Sequence, residues 1–302
     1  MAYVTGTANT IGEVTNAIIS ACTANGWTLT AADVISKGDA FIKITTDATN
    51  VMVVFRAGTG YSAGALVSPC PKDCYLSKVL TSEILVFPII YYIHIKDYEV
   101  YVLCNWGTDK WTSIGFGISK IPGAPATGVW ISGVGKIAQT GGIFSWTEGC
   151  HNSGYSSSGY SVVCGLFTRI THNANLALST DSGGCYVHAG FPDWTDDING
   201  PITFSASRQL NYIDNPSINP TGQTVLVPIQ PYIDRGSSKK SIIIDLLHAR
   251  YVRLDTLNAG DIVIFGSDRW KVYPLYKRDA VNRNGVTNTS GTFGYAIRYD
   301  GP

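Results

Sequence analysis

Charge is what this chain has least of. Asp, Glu, Lys and Arg together make up 15% of its 302 residues, where soluble domains usually carry about 25%. The two signs are equal, with 22 basic and 22 acidic side chains, so there is no surplus to neutralise a polyanion. Nucleic-acid binding takes most of its affinity from phosphate neutralisation by a basic stripe. The basic pair Lys239-Lys240 sits in a serine-rich bend and reads as a solvated turn. Direct, sequence-specific nucleic-acid binding is therefore not expected. Long apolar runs are missing too: the longest, "ILVFPIIYYIHI" at 84–95, is broken by Pro88 and is too short to span a bilayer as a helix. "MAYVTGTANTIGEV" has neither the basic leader nor the apolar block of a secretory signal. The expectation is a soluble chain with no membrane partner, made in a cytoplasm.

Metal and phosphate chemistry find little support. Seven cysteines are an odd number, which argues against a secreted disulfide framework. Cys22 falls on the apolar side of a predicted helix, and Cys104 and Cys164 sit in strand-like runs, where cysteine behaves as a small buried hydrophobe. Cys70-Pro-Lys-Asp-Cys74 has the spacing of half a zinc site or of a local disulfide, but no second pair at ligand spacing follows. Cys150-His151 stands alone. Asp193, Asp196 and Asp197 in "DWTDDING" are dense enough to suggest calcium; they depart from EF-hand spacing, and a solvated turn is the preferred reading. No glycine cluster joins a strand to a helix with the Lys and Ser/Thr that a phosphate loop needs. No cofactor or metal is expected.

One short motif asks an enzymatic question. In "LALSTDSGGCYVHAG", residues 176–190, Asp181-Ser182-Gly183-Gly184 resembles the active-site signature of trypsin-like serine proteases, where glycines let the backbone donate to an oxyanion. The resemblance implies an upstream histidine base in an Ala-Ala-His-Cys-like segment. The nearest look-alike, Thr30-Ala31-Ala32-Asp33, has an aspartate there, and the first histidine is His94. His172 and His188 flank Ser182 without matching the order of that family. A glycine turn between two strands is the preferred reading, and a serine hydrolase using Ser182 is the remote alternative. The chain is not expected to be an enzyme.

What is abundant is aromatic and β-forming. Seven Trp, 17 Tyr and 10 Phe suit either a large rigid core or surfaces covered by neighbours, since interface centres lose charge and gain aromatics. One helix is predicted, in "NTIGEVTNAIISACTANGW": Thr10 and Glu13 have capping-box spacing, Ile11, Val14, Ile18 and Cys22 share a face, and Asn25-Gly26 stops it. Strands follow. "AFIKITT" and "NVMVVFRAGTG" read as one antiparallel pair, and "PIIYYIHI" with "YEVYVLCNW" as a second, turning at Lys96-Asp97. "WTSIGFGISKI" continues that sheet as a meander. Glycine- and serine-rich loops occupy 122–211, with Tyr155 and Tyr160 as candidate contact residues. The stretch 212–234 has the prolines of a linker, and "GDIVIFGSDRW" near the end reads as a hairpin turning at Gly266-Ser267-Asp268.

The expected class is mainly β with one N-terminal helix (α+β), as antiparallel sheets or a β-sandwich in two packed β-rich domains. Residues 1–121 hold the helix and first sheet, 122–211 a loop-rich β region continuous with it, 212–234 the linker and 235–302 a C-terminal β region.

Two stretches carry a resemblance. "IIYYIHIKDYEVYVLCNW" followed by "WTSIGFGISKI" and "TGVWISG" resembles a pattern in structural proteins of tailed-bacteriophage particles. In that pattern a polar-tipped hairpin leads to a Ser/Leu-x-Phe-Gly strand and then to a glycine-aromatic one. "GDIVIFGSDRWKVYPLYKRD" with "GTFGYAIRYDGP" is similar to the ends of neck, tail and baseplate components. The resemblance implies a virion protein in a symmetric ring or sleeve of the neck/collar or tail, contacting copies of itself and other neck or tail proteins. It carries over no catalytic residues. The alternative is an adhesin or carbohydrate-binding module of the tail or baseplate, stacking Trp106, Trp111, Trp146 and Trp194 on sugars. The candidate interaction residues are Tyr155, Tyr160, Trp106, Trp111 and Trp194.

Overall fold

The structure is a computed structural model that describes residues 1–77, 84–107, 110–121, 127–134, 224–234, 239–254, 256–275 and 293–302, with short pieces at 136–138, 144–146, 161–163, 165–171, 185–189, 193–194 and 202–203. It is mainly β with a single helix among the described residues, as expected. The helix spans Ile11–Ala24. Thr10 Oγ1 accepts from the Glu13 N–H at 3.2 Å, while the Glu13 carboxylate reaches back one residue further than in a strict capping box, to the Asn9 N–H at 2.6 Å. At the other end Gly26 takes φ +89, and the Trp27 N–H closes back onto the Cys22 carbonyl at 3.1 Å, a Schellman-type stop. Ile11, Val14, Ile18 and Cys22 are all buried. None of the described helices is long and apolar enough to cross a membrane.

Three antiparallel sheets hold most of the described strand residues. An N-terminal sheet orders Thr28–Ala31, Val34–Lys37, Ala40–Asp47, Met52–Gly58 and Cys74–Leu76. A central sheet orders Ala2–Ala8, Ile89–Ile95, Glu99–Trp106, Lys110–Ile118, Val129–Ser132 and Cys185–His188. A C-terminal sheet orders Val227–Ile229, Leu246–Arg253, Phe293–Arg298, Asp268–Pro274 and Ile262–Phe265. The expected pairs occur in register: Ile44 faces Phe55, Val102 faces Ile93, and Val100 faces Phe116.

The sheets stack with the central one in the middle. One core joins the helix and N-terminal sheet (Val14, Ile18, Ile42, Phe55) to one face of the central sheet (Val100, Val102, Cys104, Ile114). A second joins its opposite face (Tyr101, Leu103, Trp111, Trp130) to the C-terminal sheet (Tyr251, Tyr273, Tyr295, Ile297). Successive strand residues point to opposite faces, so a strand covered on both sides must be apolar at nearly every position. Glu99–Trp106 meets that demand: all but Asn105 are buried. Close contact also needs glycine at Gly117, whose φ is +158 and where a Cβ would lie 2.0 Å from the Tyr98 carbonyl oxygen.

The strands Val129–Ser132 and Cys185–His188 extend the central sheet, so part of 122–211 is continuous with what precedes it. The stretch expected as a linker contributes more than a tether. Its residues Val227–Ile229 form an edge strand on Leu246–Arg253, with a bulge at Pro228/Ile229. Proline lacks a ladder donor and is tolerated at such an edge.

Candidate interaction surface and interlayer polar site

Two expected contact residues are core residues instead. Trp106 is 1% exposed and Trp111 is 6% exposed. Trp106 lies on the face covered by the N-terminal sheet, and Trp111 stacks on Tyr92 at 5.6 Å within the second core. As an aromatic platform for sugars both are unavailable, because each face of the central sheet is covered. Trp194 is half-buried; its indole N–H donates to the Ser68 carbonyl at 2.7 Å, and its ring lies 5.4 Å from that of His188. Tyr155, Tyr160, His172, Ser182, Asp196 and Asp197 lie outside the described residues, as does the side chain of Trp146. Among the described residues no cluster of three His, Cys, Asp or Glu is arranged for a metal. Cys70 is not bridged to Cys74: its Sγ accepts from the Ala57 N–H at 3.3 Å and donates to the Lys72 carbonyl at 3.2 Å. Burial pushes that thiol up to about 12.

Exposed apolar side chains occur at several places on the described surface, Ile84 the most exposed at 81%, and three of them share one edge of the C-terminal sheet. Ile262, Ile264 and Phe265 are 39%, 71% and 68% exposed. They belong to Ile262–Phe265, which pairs with Asp268–Pro274 through the two-residue turn Gly266-Ser267 and ends the sheet. Gly266 supplies the positive φ, +62, that such a hairpin turn requires. Natural edges are normally guarded by a charge, a proline or a bulge. The opposite edge has Pro228 and a bulge, whereas Ile262-Val263-Ile264-Phe265 has no charge, no proline and an unbroken register. The sequence predicted this hairpin; it gave no sign that the strand would stand at an edge.

Between the central and C-terminal sheets lies a polar site that the sequence reading missed. Glu99 is buried, and its two oxygens accept from the N–H groups of Leu247 and His248, both at 3.1 Å, while Tyr101 Oη donates at 2.8 Å. Burial pushes its carboxyl up to about 7, opposed by those hydrogen bonds. Nearby, the His94 Nε2 and the Tyr273 hydroxyl are 2.7 Å apart, and burial, then Lys96, holds this imidazole well below its ordinary range. His248 is pushed down to about 4 by burial and then by Lys96. Lys96 pairs with Asp300. In sequence Lys96-Asp97 reads as the bend of a hairpin; Lys96 and Glu99 are buried, while Asp97 between them is exposed.

No family model matches the chain, and no curated protein is significantly similar to it. Among the described residues, fold and site define a layered, mainly antiparallel β protein with one helix, an apolar edge strand without charge, proline or bulge, and a buried polar site between layers.

Proposed function

We propose that this chain is a structural subunit of a tailed-phage particle, packing beside copies of itself in a symmetric ring or sleeve of the neck, collar or tail. The observation that carries the reading is the edge Ile262–Phe265, where exposed Ile264 and Phe265 sit on a strand that pairs on one side only among the described residues and lacks a charge, a proline or a bulge. Such an edge is a template for pairing with another chain. Low charge supports the same reading, since with 15% charged residues little electrostatic repulsion keeps copies apart. The resemblance of two stretches to phage particle proteins supports a virion, built in a bacterial cytoplasm, as the setting of that assembly. The adhesin reading loses support with Trp106 and Trp111 in the cores.

The test is Ile264→Lys combined with Phe265→Lys, two surface changes outside both large cores. The native chain is expected to form a defined oligomer by light scattering, and the double variant to fall to monomer mass with unchanged circular dichroism. An oligomer of unchanged size in the variant would remove this edge from the interface.

A further inference from the structure

Lys96 follows the strand Ile89–Ile95, and its side chain is 0% exposed. An ammonium has three N–H donors and is costly to take out of water. Among the described residues it meets one partner, the carboxylate of Asp300, 204 residues further along the chain. Burial holds the amine below its ordinary value. His94, two residues before Lys96, and Tyr299, immediately before Asp300, pack their rings together with Tyr3 at 4.9 to 6.4 Å. His248 feels Lys96 as its strongest charged neighbour. Its Nδ1 is buried without a hydrogen-bond partner among the described residues. A covered amine and a carboxyl in contact with it are the two groups from which an amide is made.

We propose that Lys96 and Asp300 join in an intramolecular amide cross-link between the central and C-terminal sheets. Within the ion pair one proton passes from the Lys96 ammonium to the Asp300 carboxylate, and the neutral amine then attacks Cγ of the acid. The C–N bond forms, one C–O bond breaks, and that oxygen leaves as water with two of the three ammonium hydrogens. A second proton passes from the nitrogen to the departing oxygen. Ammonium and carboxylate together contain every atom of the amide and the water, so no oxidant or further reactant enters. Fixed contact supplies the effective concentration that such a reaction lacks in dilute solution. The product removes both charges from a place where the amine is fully buried. Asp300 is 32% exposed on its side chain, which leaves the released water an exit.

Intact-mass spectrometry of the full chain tests this. The expected result is a mass one water below that of the sequence, and a digest containing one branched peptide that unites the Lys96 and Asp300 fragments. Lys96→Arg and Asp300→Ala should each restore the full mass of their own sequence. A native chain at full mass, with an unmodified Lys96 peptide in the digest, would overturn the proposal and leave an ion pair. A water loss mapped to other residues would overturn it equally. The native chain answers alone, so variants that fail to fold do not blunt the test.

Discussion

Glu99 has three hydrogen-bond donors and no cation bonded to it among the described residues, and the sign of its effect on stability follows from that. Its carboxyl rises from 4.5 to about 7 on folding, because burial outweighs the hydrogen bonds. Across that window the folded chain binds more protons than the unfolded one, so this residue's contribution to stability falls as pH rises through it. The shift corresponds to on the order of 3 kcal/mol. His248 works in the opposite sense: its pKa falls from 6.5 to about 4, so its contribution rises with pH between those values, and His94 acts in the same direction. The native chain should therefore show a shallow pH dependence near pH 5–6, the sum of opposed slopes. Glu99→Gln should be less stable at pH 5, having lost one acceptor, and its urea midpoint should climb from pH 5 to 7. A native-like profile in that variant would mean that Glu99 does not titrate in this window. The tryptophans make a second contrast. Trp106→Ala should cost about 3–5 kcal/mol by chemical denaturation. Trp194→Ala, at a half-buried site with one hydrogen bond to Ser68, should cost much less.

At the scale of elements, the helix and the hairpins were legible because their causes are local. Thr10, Glu13 and Gly26 each act within one turn of the backbone they fix. Thr10→Ala should cost about 1 kcal/mol in thermal or urea unfolding, and an unchanged midpoint would show that the cap is redundant. Alternation in "IIYYIHI" and "YEVYVLC" gave the pairing, and the register agrees with it. What alternation cannot give is the element that comes to cover a face. Leu247 and His248 reach Glu99 from about 150 residues away in sequence, and nothing near Glu99 announces them. The same gap misplaced Trp106 and Trp111, whose burial depends on two sheets lying on opposite faces of a third. The edge position of Ile262–Phe265 escaped for a related reason, since strand order is a property of the sheet.

For the molecule as a whole, stacking decides which surfaces remain for other molecules. The central sheet is spent on two cores, which leaves the outer layers and their edges. Among the described residues, one edge of the C-terminal sheet carries Pro228 and a bulge, and the other exposes Ile264 and Phe265. Contacts between different faces of identical copies close into rings when the rotation allows it, and the central claim is that this chain assembles in that way. The measurement that tests it most directly is the mass in solution by size exclusion with light scattering over a range of concentrations, with negative-stain images of the main peak. Closed rings of one fixed copy number are the predicted result. A monomer that stays monomeric at every concentration would contradict the claim.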